Sequence, residues 1–141
     1  MDQDLSRIIT EFAGKVRVVW KDFPNDASHP DALPAAKAAR CAGLQGAFWQ
    51  YHDLLLANQG STGIENHAIL AQQLGLDAAS FRSCAESDDM LPAVRRDAEE
   101  AVRLRLDATP YLFIGDRRVS GAVGYDALRT YVETALSSVT H

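Results

Sequence analysis

No Cys-x-x-Cys occurs anywhere in this chain of 141 residues. Its two cysteines, Cys41 and Cys84, lie 43 positions apart, which excludes a paired-thiol centre built within one helical turn. An even pair at that spacing fits either a structural disulfide or two buried thiols, so the redox compartment stays open. Positive charge is not in excess either. The net charge is −5, where nucleic-acid binders usually carry a basic footprint. Arg95, Arg96, Arg103 and Arg105 are interleaved with Asp97, Glu99 and Glu100, the pattern of a solvated helix face rather than a basic patch. No apolar run approaches the roughly 20 residues that span a bilayer. The opening Met-Asp-Gln-Asp-Leu-Ser-Arg has no apolar signal core, so a chain whose true start is Met1 is expected to remain cytoplasmic.

Familiar catalytic signatures are missing too. There is no Gly-x-Ser-x-Gly, no P-loop and no dinucleotide fingerprint. His29, His52, His67 and His141 show neither His-x-x-x-His nor Cys/His zinc spacing, so no metal and no other cofactor is expected. His52, beside Tyr51 and Asp53, reads as a packed or half-exposed histidine. Asp88-Asp89 and Glu99-Glu100 are sequence neighbours that point in different directions, suited to capping and surface charge rather than acid–base catalysis. A lone nucleophile at Cys41 has no paired base in view.

What is present is ordinary for a globular fold, with 47% apolar and 23% charged residues. Leu5, Ile8, Ile9 and Phe12 predict a short amphipathic helix closed at Ala13-Gly14. Val16, Val18, Val19 and Trp20 predict a mostly buried strand. Pro24 to Pro34 is a loop. A long alanine-rich helix is expected from about Leu33 to Ala57, pausing near Gly43 or Gly46. Gly60 to Gly63 is a loop, followed by helices at about Glu65–Leu74 and Ala78–Ala85. Another begins near Asp89 with Pro92 in its first turn and turns Leu91, Val94, Ala98, Ala101 and Val102 inward. Tyr111–Ile114, Gly115-Asp116 and Arg117–Ser120 predict a hairpin, and Tyr125 to about Ser138 a closing helix.

Four segments in order carry a family resemblance. They are Gly14-Lys-Val-Arg-Val-Val-Trp-Lys-Asp-Phe-Pro24, His29-Pro-Asp-Ala-Leu-Pro-Ala-Ala-Lys-Ala-Ala-Arg-Cys41, Phe48-Trp-Gln-Tyr-His-Asp-Leu-Leu55, and Ala108-Thr-Pro-Tyr-Leu-Phe-Ile114 with Arg117-Arg-Val-Ser-Gly121. Together they resemble the DsbA-like thioredoxin-fold disulfide oxidoreductases. The resemblance implies one α/β thioredoxin-like domain over residues 1–141, with a helical insertion at about 33–106 and a C-terminal hairpin and helix at 110–139. It also implies that the first core strand, and the redox motif after it, are missing. The strands at Val16–Trp20 and Tyr111–Ile114 would then either pair directly or recruit the edges of a second copy, giving a homo-oligomer.

The site residues follow from the same resemblance. A proline directly before a β run suits a strand start. In this family the matching bond is cis, and Thr109 and Pro110 would form the edge where substrate chains dock. Cys41 and Cys84 would form a structural disulfide inside the helical block. The implied function is that of a thiol–disulfide oxidoreductase domain acting on cysteine-containing or unfolded proteins. It would be a truncated form, redox-inactive alone, from a periplasmic or otherwise exported parent. The alternative is a natural CxxC-free relative that binds peptides or assembles with itself.

Overall fold

Val16–Trp20, expected as a buried strand, joins no sheet in the computed structural model, which describes residues 2–59 and 63–139. Val16 and Val18 are half-buried on alternate positions, while Val19 and Trp20 remain 62% and 42% exposed. A strand exists by pairing, and no neighbour supplies a ladder here. Nor does it pair directly with Tyr111–Ile114, one of the two expected closures of the sheet: the hairpin partner Arg117–Ser120 is the one strand paired with Tyr111–Ile114 among the described residues.

The chain falls into two units, each with its own core: Met1–Trp20 with Val102–His141, and Lys21–Ala101. We call them the sheet unit and the helical unit. The helical unit starts earlier and ends sooner than the expected 33–106.

In the sheet unit, α1 (Asp2–Glu11) is followed by Gly14, whose φ of +76° lets the chain leave the helix. Strands β1 (Tyr111–Ile114) and β2 (Arg117–Ser120) pair antiparallel, with Tyr111 opposite Ser120 and Ile114 opposite Arg117. Gly115 turns the hairpin at φ +57°, and a Cβ there would stand 3.1 Å from that of Ala135. Space and conformation both require glycine. Helix α7 (Tyr125–Val139) closes the unit. Ile8, Leu128 and Val132 form its buried centre, with Leu112 and Ile114 packed against them. Fully burying a side chain the size of Leu128 is worth about 1.5–3 kcal/mol.

The helical unit contains α2 (Ala32–Leu44), α3 (Phe48–Ala57), α4 (Ile64–Gln73), α5 (Ala78–Glu86) and most of α6 (Leu91–Arg103). The single long helix expected from Leu33 to Ala57 is two helices. Gly46, at φ +77°, breaks it, and the Ala47 N–H turns back to the Ala42 carbonyl. Ala38, Ala39 and Ala42 are almost fully buried, and their small side chains let other helices approach α2 closely. Tyr51 and Phe81 fill the centre with rings 5.4 Å apart. Asp77 caps α5 by accepting the Ser80 N–H at 2.6 Å. Val102, expected inward, is 66% exposed. The buried stripe of α6 runs instead through Val94, Asp97 and Ala101. Gly60, Ser61, Thr62 and His141 lie outside the described residues.

Candidate functional site

Which side of β1 faces outward follows from one hydrogen bond. The Gly121 N–H donates to the Pro110 carbonyl at 2.9 Å, continuing the β1–β2 register by one step. In an antiparallel ladder, hydrogen-bonded and non-bonded pairs alternate. Leu112 with Val119 and Ile114 with Arg117 therefore exchange main-chain bonds within the hairpin. Tyr111 and Phe113 aim their N–H and C=O groups at the opposite edge, where no strand lies among the described residues. That edge holds none of the usual protections inside the strand: Tyr111–Ile114 has no charge, proline or bulge.

The side chains divide by the same parity. Leu112 and Ile114 pack on the core around Leu128. Tyr111 and Phe113 stand on the other face with rings 5.4 Å apart, and Phe113 is 49% exposed. Thr109, exposed, and Pro110, half-buried, lead into the strand through a cis peptide bond. The residues proposed from sequence as a docking edge thus sit at the start of a strand whose outer main-chain groups are open.

Cys41 and Cys84 belong to the helical unit and are joined to each other, with Cα atoms 5.8 Å apart. Cys41 is almost fully buried. With both cysteines in this bond the chain has no free thiol to attack a substrate disulfide, and a substrate thiolate would have to reach a buried one. The arrangement can offer main-chain hydrogen bonds and an aromatic surface to an extended peptide, but no sulfur nucleophile.

Two polar groupings of the helical unit were not anticipated. Asp22 and Asp97, each 4% exposed, share the Arg40 guanidinium, which donates from Nε to Asp22 and from Nη2 to Asp97. The Asp22 N–H also donates to Asp97 at 3.3 Å, and Lys21 bridges Asp97 and Glu100 at 3.3 and 2.9 Å. The sequence pattern places Asp97 on a solvated face, whereas here it is buried. Its place between Val94 and Ala101, three and four residues away on one helical stripe, was the available signal. The second grouping is the buried pair Tyr51 and His67. The tyrosine hydroxyl donates to the His67 carbonyl at 3.1 Å and lies 3.1 Å from its Nδ1, while Nε2 has no hydrogen-bond partner among the described residues. Burial holds the His67 pKa below the usual imidazole value against the opposing field of Asp31, and pushes the Tyr51 hydroxyl well above its own usual value. His52 is buried, stacked on Phe48, with Nδ1 3.2 Å from Asp53. Among the described residues no group of three or more His, Cys, Asp or Glu side chains could hold a metal ion.

A family model described as thioredoxin matches residues 1–134. Among curated proteins the chain is similar to the Na(+)/H(+) antiporter NhaA 1 of Salinispora arenicola, 35% identical over 130 residues that make up 92% of this chain and 20% of that protein. It is also similar to the Na(+)/H(+) antiporter NhaA 3 of Salinispora tropica, 36% identical over 123 residues, 87% of this chain and 19% of that protein. The chain therefore spans about a fifth of the length of these curated relatives. Among the described residues no helix is long and apolar enough to cross a membrane.

Solved structures give the same fold. A thioredoxin-like oxidoreductase from Silicibacter pomeroyi DSS-3 superposes with a TM-score of 0.81 at 22% identity, over 96% of this chain and 78% of that one. The catalytic domain of Proteus mirabilis ScsC gives 0.81 at 24% identity, over 97% and 74%. A periplasmic thioredoxin-like protein from Salmonella enterica serovar Typhimurium gives 0.75 at 22% identity, over 96% and 75%.

Proposed function

The chain belongs to the thioredoxin family, and from that premise we propose that it is the protein-docking part of a DsbA-type thiol–disulfide oxidoreductase, without redox turnover of its own. The observation that carries this reading is the open edge of β1. Tyr111 and Phe113 present main-chain groups with no strand partner among the described residues, directly after Thr109-Pro110, where an extended substrate can add itself as a strand. The missing half is equally physical. Exchange needs a thiolate to reach a disulfide sulfur, and the two cysteines are bonded to each other with Cys41 almost fully buried in a helical core.

The substrates of this reading are cysteine-containing or unfolded protein segments, recognised through their backbone. The periplasmic description of one structural neighbour and the oxidoreductase description of another favour an exported parent. The ion exchange named for the antiporter relatives belongs to proteins about five times as long and is no part of this reading.

Two assays test it together. In insulin reduction with a dithiol donor, the chain is expected to give no rate above the donor alone, while an unfolded cysteine-free peptide binds it. Robust turnover would contradict the inactivity, and absence of peptide binding would contradict the docking role. The same open edge favours a second reading, in which the chain is a natural CxxC-free module that binds peptides or pairs with its own copy. Concentration-dependent dimerisation that peptide competes away favours that reading; a monomer at all concentrations counts against the self-pairing.

A further inference from the structure

One cation is built into the face that a docked peptide would share with Tyr111 and Phe113. Arg118 stands opposite Phe113 in the ladder. Its guanidinium carbon lies 5.3 Å from the Phe113 ring centre and 5.6 Å from that of Tyr111. Its Nη2 donates to the Leu104 carbonyl, so the side chain is held over the two rings instead of sweeping through solvent. It is exposed, and no carboxylate pairs with it among the described residues. Asp107, which also meets β2, accepts the Ser120 hydroxyl at 2.9 Å. The neighbouring Arg117 cannot serve this face. It points the other way and covers the ring of Tyr131 on α7 at 4.4 Å.

An extended segment added to the edge of β1 would set every second side chain on the Tyr111 and Phe113 face. β2 lies on the far side of β1 from that edge, about 10 Å from an added strand, so a carboxylate on that face would reach across Phe113 toward a guanidinium already positioned by a carbonyl and two aromatic rings, with little side-chain entropy left to lose. We propose that Arg118 makes this edge selective for extended segments that carry a carboxylate side chain on the face shared with Tyr111 and Phe113. The inference rests on the reading of β1 as a docking edge and adds a chemical preference to it.

The test uses three cysteine-free extended peptides that differ only at one position, Glu, Gln or Lys, titrated against the whole chain by fluorescence anisotropy. The Glu peptide is expected to bind about threefold tighter than the Gln peptide, as suits a partly exposed charge pair, with the Lys peptide weakest. The preference should disappear in about 0.5 M salt. In Arg118→Gln the Glu and Gln peptides should converge at the affinity of the Gln peptide, and in Arg118→Glu the order should invert. Equal binding of all three to the parent chain overturns the selectivity and leaves the docking edge standing. No binding by any of them overturns both. If Arg118→Gln loses the Gln peptide as well, Arg118 builds the hairpin rather than selecting its ligand, and the proposal falls.

Discussion

The helical unit and the sheet unit solve opposite problems. Lys21–Ala101 carries six Lys and Arg against twelve Asp and Glu, while the remainder carries eight against seven. The acidic unit buries two of its carboxylates around Arg40, links α2 to α5 through Cys41–Cys84, and fills its centre with Tyr51 and Phe81. The balanced unit has no cross-link, a two-stranded sheet and an open strand edge. Exposed apolar side chains do not separate the units: Val19 and Phe113 are exposed in this one, Leu44 and Ile69 in the other. Interactions that fix one structure are concentrated in one unit. The open strand edge lies in the other.

The largest effect expected from breaking this contrast is at Arg40. Arg40→Met would strand two buried carboxylates and should cost the helical unit about 3–5 kcal/mol, read as a lower urea midpoint by circular dichroism. Amide exchange should accelerate in α2 to α6 and leave β1 and β2 unchanged; equal acceleration in the hairpin would erase the distinction. Next comes the cross-link. Replacing Cys41 and Cys84 together by alanine should cost about 2–4 kcal/mol while peptide affinity is retained, and loss of peptide binding would tie the cysteines to the docking function.

Phe113→Pro sharpens the comparison from the other side. It deletes an N–H that points to the open edge and that the hairpin does not use, so peptide affinity should fall about tenfold with little change in stability. Leu112→Pro deletes a ladder bond and should unfold the hairpin. If the two variants behave alike, the assigned parity is wrong.

The smallest effect concerns pH. The His67 pKa is lowered in the folded chain by burial, so the unfolded chain takes up the proton first. Stability should be unaffected above the usual imidazole range and should fall as pH drops below it. His67→Gln should flatten that acid slope of the urea midpoint; an unchanged slope would place its origin elsewhere.

Much of this was legible in the sequence because it depends on local chemistry. Gly115-Asp116 between Tyr111–Ile114 and Arg117–Ser120 gives the hairpin, Pro92 marks a helix start, and the Tyr125–Ser138 pattern gives α7. The failures share one cause. Val16–Trp20 has the composition of a strand, but a strand requires a neighbour that no local pattern supplies. Asp97 has the composition of a surface charge, and only the arrival of Arg40, 57 positions away, makes its burial tolerable. The docking edge was half legible. Thr109-Pro110 pointed to the place, whereas the outward direction of Tyr111 and Phe113 and the perch of Arg118 needed the register.

Residue-resolved amide exchange of β1, with and without an unfolded cysteine-free peptide, tests the central claim most directly. An intact docking edge predicts slow exchange at Leu112 and Ile114, fast exchange at Tyr111 and Phe113, and selective slowing of those two when peptide is added. Uniform protection along the strand, or a bound peptide that leaves Tyr111 and Phe113 unchanged, would contradict it.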